Sequence, residues 1–447
     1  MNSALIERFR VPAQYANIEL NGVLRPAHGF FEFGPGVVCY GQAANHQLPA
    51  GIREKLPDAL QCTRTGISAL QLPFNLTQIV DNLRLERYCS NGICGKNALE
   101  DNMTRSIYYF LRPLLGIPIR KHLQRARLKG WNRIPFPRWP VDFTVEDILD
   151  GVMALLIKMQ PAKRIPFIWY WPDGARSALM MTHDVEAVAG LNFCDQLMTL
   201  DESAGIRSAF QIVPEVRYEI QNEIIDRFRL RGHEVNVHDL NHDGSLFQQK
   251  EEFIRRASEI NFHAKRFGTR GFRAGGMYRN QDWFEMLDLS YDMSVPNVAH
   301  LEPQRGGCCT VFPYFVGELL ELPLTTTQDY SLLHILGDYS IELWTKQIDL
   351  IRERHGLISF ITHPDYLIES RAGQVYRNLL DYIAKLKESS QVWAALPGEI
   401  DRWWRDRSQM CLVPDGESWR IEGTRCERAR LAYASLSNGR VVYSLAS

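Results

Sequence analysis

The chain reads as an α/β protein, with a parallel sheet or barrel set between an N-terminal α+β region and a small C-terminal β-module. Three observations lead there. From Ala175 onward, short apolar runs alternate with amphipathic stretches, the rhythm of βα units whose strands run parallel. Polar residues able to do chemistry recur at the C-terminal ends of those runs, among them Asp184, His238, Arg273 and His363. In a barrel of parallel strands all such ends open on one face, where active sites are built. The first 165 residues lack this rhythm, and after Arg405 it gives way to apolar–polar alternation. The expected division is therefore 1–165 as an accessory region of unknown role, 166–405 as the barrel, and 406–447 as the β-module.

In chain order, the accessory region mixes turn-rich stretches such as FEFGPGVVCYG with helical ones. The segment TRSIYYFLRPLLGIPIRKHLQRARLKGWNRIPFPRWPVD begins as an apolar helix, becomes basic and ends in proline-rich coil. Its run Arg120, Lys121, His122, Arg125, Arg127, Lys129 and Arg133 is in the first instance a solvated helix face, and in the second a contact for an anionic polymer or lipid head groups. ILDGVMALLIKM (148–159) is too short to span a membrane and carries Asp150 and Lys158, so it reads as a buried helix. The expected strands then follow as ALMMTHD, SAFQIVPE, HEVNVHD, TRGFRAG, YDMSVPN, LLELPLTT, LISFITHPD and VWAALPG. Between them lie NEIIDRFRLRG, KEEFIRRASEINFHAKRF and SIELWTKQIDLIRERHG, each with helical spacing. PGEIDRWWRDRSQ closes the barrel region as a helix, and the alternating tail with its SNG turn predicts a hairpin separable from the barrel.

Composition excludes some functions. Charged residues make up 23% and the net charge is -1, which gives no global attraction to nucleic acid or an anionic membrane. No basic start followed by an apolar core is visible at MNSALIERFRVPAQ, so a cytoplasmic location is expected. The nine cysteines are an odd number spread along the chain and read as mostly reduced thiols. Cys89 and Cys94 lack a second pair at zinc-ribbon spacing, and vicinal Cys308 and Cys309 read as packing residues.

Four strand-end segments together carry the chemistry. THDVE offers Asp184 and Glu186, which share one side of a strand while Val185 faces away. HDLNH offers His238 and His242, GFRAGG offers Arg273, and ITHPD offers His363 with Asp365 two residues on. A hydrolytic metal site needs about three protein ligands and an open position for water. It also needs a base for the water's proton and an acid for the leaving group. One carboxylate with two histidines meets the first need, and a second carboxylate with a further histidine meets the second.

The order Thr-x-Asp, GHEV with two histidines, RAGGMYRN and THP resembles the polysaccharide deacetylase superfamily, carbohydrate esterase family 4, over Trp171 to Arg405. WPDGARSALMMTHDVE, AGIRSAFQIVPE, YDMSVPN, LLELPLTTTQD and VWAALPGEIDRWWR add to the likeness. The resemblance implies a distorted (β/α) barrel and one divalent metal ion, usually Zn2+. It implies hydrolysis of N-acetyl, sometimes O-acetyl, groups on amino-sugar polymers. Residue by residue, it implies Asp184 as general base, His238 and His242 as metal ligands, Arg273 as the arginine steadying the base, and His363 as general acid. The family's first motif has two adjacent aspartates, the second binding metal; here Val185 follows Asp184, and Glu186 takes the ligand role one residue on. RAGG replaces the more usual arginine-x-proline, and Gly276 is expected to leave room in the pocket wall.

The expected substrate is an acetylated amino-sugar polymer or its precursor. Hydrolysis of another non-peptide C–N bond, such as a cyclic amide, is the alternative within the same chemistry. A barrel without turnover, serving partners in polysaccharide assembly, is the alternative outside it. Trp169, Trp171, Tyr278, Trp283 and Tyr366 are candidates for stacking on sugar rings, with core packing the equal alternative for Trp169 and Trp171.

Overall fold

The computed structural model describes residues 3–44, 47–66, 68–91, 117–389 and 392–446. The apolar start of the expected helix after Thr104, and Cys94, lie outside them. Cys89 is disulfide-bonded, while seven other cysteines, Cys308 and Cys309 among them, are free thiols.

The chemistry-bearing runs form one curled sheet. From one edge its strands are Tyr314–Val316, Leu319–Glu321, Tyr291–Asp292, Gly271–Arg273, Glu234–His238, Ala209–Ile212, Ser177–Val185 and Leu357–Thr362. Val392–Ala394 pairs in parallel with the start of Ser177–Val185. Tyr314–Val316 is antiparallel to its neighbour, and the remaining pairings are parallel. Ser177–Val185 is buried along its whole length, as expected of a parallel strand covered on both faces. Helices Val188–Ser203, Asn222–Leu230, Lys250–Phe267, Glu342–Glu353 and Ser370–Glu388 lie between the strands in chain order.

The curled sheet does not close through a continuous ladder. Between Leu319–Glu321 and Leu357–Thr362 the join is made largely by threonine side chains. Thr325 and Thr326 donate their hydroxyls to the carbonyls of Leu357 and Ser359, each at 2.7 Å. Thr325 Oγ1 also accepts from Ser359 N at 3.0 Å. Two expected strands are shorter than their apolar runs: of YDMSVPN only Tyr291–Asp292 is strand, and of LLELPLTT only Leu319–Glu321. Pro296 and Pro323 lack the N–H that a ladder needs.

The tail is tied to the rest. Leu431–Ser437 pairs antiparallel with Arg440–Leu445, through a turn in which Asn438 and Gly439 both have positive φ, as a two-residue hairpin requires. Leu431–Ser437 also pairs with Arg164–Ile168. That strand straddles the expected boundary at residue 165, so a strand from before the barrel and a hairpin from after it make one sheet. Tyr443 packs its ring 5.3 Å from Phe167 and 5.9 Å from Phe9, and donates its hydroxyl to Asp150 on the buried helix Thr144–Met159. One hydrophobic cluster runs through all three expected regions. The reason is that a hairpin of this size cannot bury a core alone. Removal of residues 411–447 is therefore expected to destabilise the whole chain. Uncovering Ile165 and Phe167, both fully buried, costs about 1.5–3 kcal/mol each. A thermal melt of the truncated protein that matches the full chain would refute this.

Candidate metal centre and catalytic site

Parallel register brings the strand ends together. Arg273 is the Cα partner of His238, so the last residues of two adjacent strands stand side by side. Asp184 lies one residue before the end of Ser177–Val185, and Glu186 follows it. The Val185 carbonyl accepts from the Tyr218 hydroxyl, which pins the chain between the two carboxylates. His363 stands just beyond Leu357–Thr362, at the start of the short helix Pro364–Leu367.

Glu186 Oε1 is the point on which three imidazoles converge. It lies 2.9 Å from His242 Nε2, 3.5 Å from His238 Nε2 and 3.4 Å from His363 Nε2. Atoms of Glu186, His238 and His242 fall within 4.8 Å of one another. The nitrogens His238 Nε2 and His242 Nε2 are buried and make no hydrogen bond of acceptable geometry. Orphaned buried nitrogens are costly unless something fills their lone pairs. His238 Nδ1 lies 3.1 Å from the Arg273 carbonyl. A carbonyl only accepts, so Nδ1 carries a proton and Nε2 is the nitrogen left for an ion, the arrangement by which an outer partner orients a metal-binding histidine. The set fits a divalent cation with a taste for nitrogen and oxygen.

His242 is held by its surroundings. Its backbone φ is +56° and that of Asp239 +57°, so the HDLNH turn doubles back on the strand end. A Cβ on Gly275 would stand 2.9 Å from His242 Cδ2 and 2.6 Å from Asp239 Oδ2. Gly275 thus has a spatial reason, since a bare Cα lets the imidazole lie against the backbone. Arg217 Nη2 donates to the His242 carbonyl at 2.6 Å and sits 3.3 Å from its Nδ1.

Asp184 and His363 are each gripped at one atom and open at the other. Asp184 Oδ1 accepts from Arg273 Nη1 at 2.7 Å, while Oδ2 lies 3.7 Å from His238 Nε2. Arg273 is fixed in turn by donating to Thr182 Oγ1 and the Met293 carbonyl. Burial favours the neutral acid, but the charges of Arg273, His238 and His363 outweigh it and hold Asp184 below the usual carboxylate range. Glu186 is held well below its usual value against the same opposing burial, by His242's charge and contacts from all three imidazoles. His363 Nδ1 meets Asp329 Oδ1 at 2.7 Å, and its backbone N–H donates to Asp329 Oδ2 at 2.7 Å. Burial would lower the pKa of His363; Asp329 and then Glu186 overcome this and raise it well above the ordinary value.

Asp329 is the residue that the sequence reading missed. It stands in LLELPLTTTQD, but nothing in that stretch shows which histidine it meets. Asp365, two residues after His363 in ITHPD, is not that partner: its Oδ1 is buried without a hydrogen bond. Of the five aromatic candidates, Tyr366 lies against the site, stacked on His363 at 4.7 Å. Trp171 is core, donating to the His355 carbonyl at 2.6 Å and packed on Trp404. Trp169 is buried beside Tyr170, and Trp283 packs on Phe253.

Comparison with known proteins adds a likeness of fold. No protein-family model matches the chain, and no curated protein matches it. Among solved structures, a Mycobacterium smegmatis protein described as a polysaccharide deacetylase is 18% identical with a TM-score of 0.43, covering 56% of this chain and 98% of its own. A probable polysaccharide deacetylase from Pseudomonas aeruginosa is 14% identical at TM-score 0.41, over 53% of this chain and 93% of its own. Puue allantoinase is 14% identical at 0.42, over 53% of this chain and 92% of its own. A peptidoglycan deacetylase from Bacillus subtilis is a further structure of this kind, 11% identical at TM-score 0.33, over 52% of this chain and 93% of its own. Among the described residues, no helix is long and apolar enough to cross a membrane.

Proposed function

We propose that the chain is a metal-dependent hydrolase that removes N-acetyl groups from an amino-sugar polymer or its precursor. The observation that carries this reading is the convergence of two orphaned imidazole nitrogens and one carboxylate, flanked by an Arg-held carboxylate and an Asp-held histidine. Glu186, His238 and His242 would hold the ion, with Zn2+ the best match to two imidazoles and a carboxylate. When bound, such an ion supplies Lewis acidity, lowering the pKa of a water molecule and polarising a carbonyl.

The chain's own groups do the rest. Asp184 keeps Oδ2 free of Arg273 and takes the proton of the attacking water there. Arg273 positions Asp184 and keeps it ionised; it is a positioning residue. His363 points Nε2 toward the same pocket and gives its proton to the amine nitrogen as the C–N bond breaks. Asp329 orients His363 and favours its charged form.

Elemental analysis tests the centre. About one divalent ion per chain is expected, lost in His238→Ala and in His242→Ala; full metal in both variants would remove the ion from this site. Acetate release from an N-acetyl chitooligosaccharide tests the reaction. Turnover of a cyclic amide with none on acetylated glycans would favour the other C–N hydrolysis. Binding of glycan without any release would favour a barrel that serves polysaccharide assembly.

A further inference from the structure

We infer that the substrate is anionic, and that the basic helix Ile117–Leu128 with the turn after it meets its charge beside the metal centre. This rests on the proposed function and names the substrate class of that site. The helix lies close to the chemistry. Arg125 Nε donates to the His334 carbonyl at 2.8 Å, and Arg127 Nη2 to the Pro303 carbonyl at 3.2 Å. The His334 ring packs 5.0 Å from Tyr366, and Tyr366 packs 4.7 Å from His363. Two ring contacts therefore connect the segment under the helix to the proposed acid.

The charge of this segment is of one sign. Between Asp101 and Asp142 the sequence holds no aspartate or glutamate, and within Ile117–Arg133 it holds Arg120, Lys121, Arg125, Arg127, Lys129 and Arg133. A helix face that serves only solubility mixes both signs, since opposite charges three or four residues apart support the helix and like charges weaken it. Here Leu128 is buried as the anchor, while Arg125, Arg127, Lys129 and Arg133 are exposed. The chain as a whole carries a net charge of -1, so the excess of positive charge belongs to this segment and not to the chain at large. A second cation, Arg217, stands 3.3 Å from the His242 ring. A neutral glycan needs stacking rings and hydroxyl partners and gains little from such a field. A chain bearing carboxylates or phosphates is drawn to it within a Debye length of about 8–10 Å.

The test compares N-acetylated substrates of different charge, the two oligosaccharides being of equal length. These are a neutral chitooligosaccharide, a hyaluronan oligosaccharide in which N-acetylglucosamine alternates with glucuronate, and UDP-N-acetylglucosamine as the diphosphate arm. Zinc-loaded full-length protein is expected to prefer one anionic substrate in kcat/KM. Raising the salt, or the exposed double change Lys129→Glu/Arg133→Glu, is expected to cut that preference about tenfold. The arm that responds says whether carboxylate or phosphate is read. If no substrate is turned over, the proposed reaction fails, and the inference is read separately by calorimetric binding of the same three compounds: anionic compounds bind in a salt-dependent way that the double change weakens. Equal affinity for neutral and anionic compounds, or preference untouched by Lys129→Glu/Arg133→Glu, overturns it. So does charge-dependent binding of the protein to phosphatidylglycerol vesicles with no glycan preference, which would assign the helix to a membrane surface.

Discussion

Asp184→Asn is expected to lower amide turnover by about a hundredfold to ten-thousandfold, the scale of a lost general base, while the ion stays. An amide in place of the carboxylate still accepts from Arg273 at Oδ1, so the shape of the pair survives, but the open position no longer takes a proton. Glu186→Gln separates the two carboxylates. Glu186 Oε1 lies between 2.9 and 3.5 Å from three imidazole nitrogens, so weakening this group should empty the centre. Metal content and single-turnover rates, measured on both variants, decide the matter. If Asp184→Asn loses the ion and Glu186→Gln keeps it, the two roles are exchanged. Removing the charge also leaves Arg273 buried without its ionic partner. Breaking a buried pair costs about 3–5 kcal/mol, so melts of the variant are part of the experiment.

His363→Ala is expected to lower amide turnover by about a hundredfold or more, with metal content unchanged. An amine cannot leave as an anion, so the C–N bond breaks only as the nitrogen is protonated. An ester with an already acidic leaving group does not need that proton, and its loss should be much smaller. Equal losses on both substrates would mean that His363 shapes the pocket. Asp329→Asn supplies a readout that a shaping role would not move. Asp329 raises the pKa of His363, and activity needs the charged ring. Without that carboxylate the ring loses its proton at lower pH, so the alkaline limb of kcat/KM should move down the pH scale. A bound cation weakens Glu186's share of the same effect, which leaves Asp329 as the principal cause. An alkaline limb that stays in place would rule out this use of Asp329.

The βα rhythm was legible because amphipathic spacing and apolar runs are local properties. KEEFIRRASEINFHAKRF and PGEIDRWWRDRSQ are helices over the residues their patterns mark, Lys250–Phe267 and Pro397–Gln409. The residues at the strand ends were legible for the same reason, since a parallel strand that terminates in Asp, His or Arg aims it at one face. The sequence determined by itself that Asp184 and Glu186 share a side, because strand alternation needs no partner.

Which atoms meet was decided only in three dimensions. Asp329 reaches His363 across 34 residues, and Arg273 reaches Asp184 across 89. Nothing local marks Asp329 rather than Asp365 as the partner, since both are short carboxylates near the end of a run. Gly275 stands in GFRAGG in plain view, but its closeness to the His242 ring follows from two loops that end on neighbouring strands. The union of Arg164–Ile168 with the tail was hidden for a similar reason. A hairpin's own pattern says where its turn lies, whereas the third strand beside it is chosen by which apolar face is left to cover, and here that face lies more than 260 residues earlier in the chain.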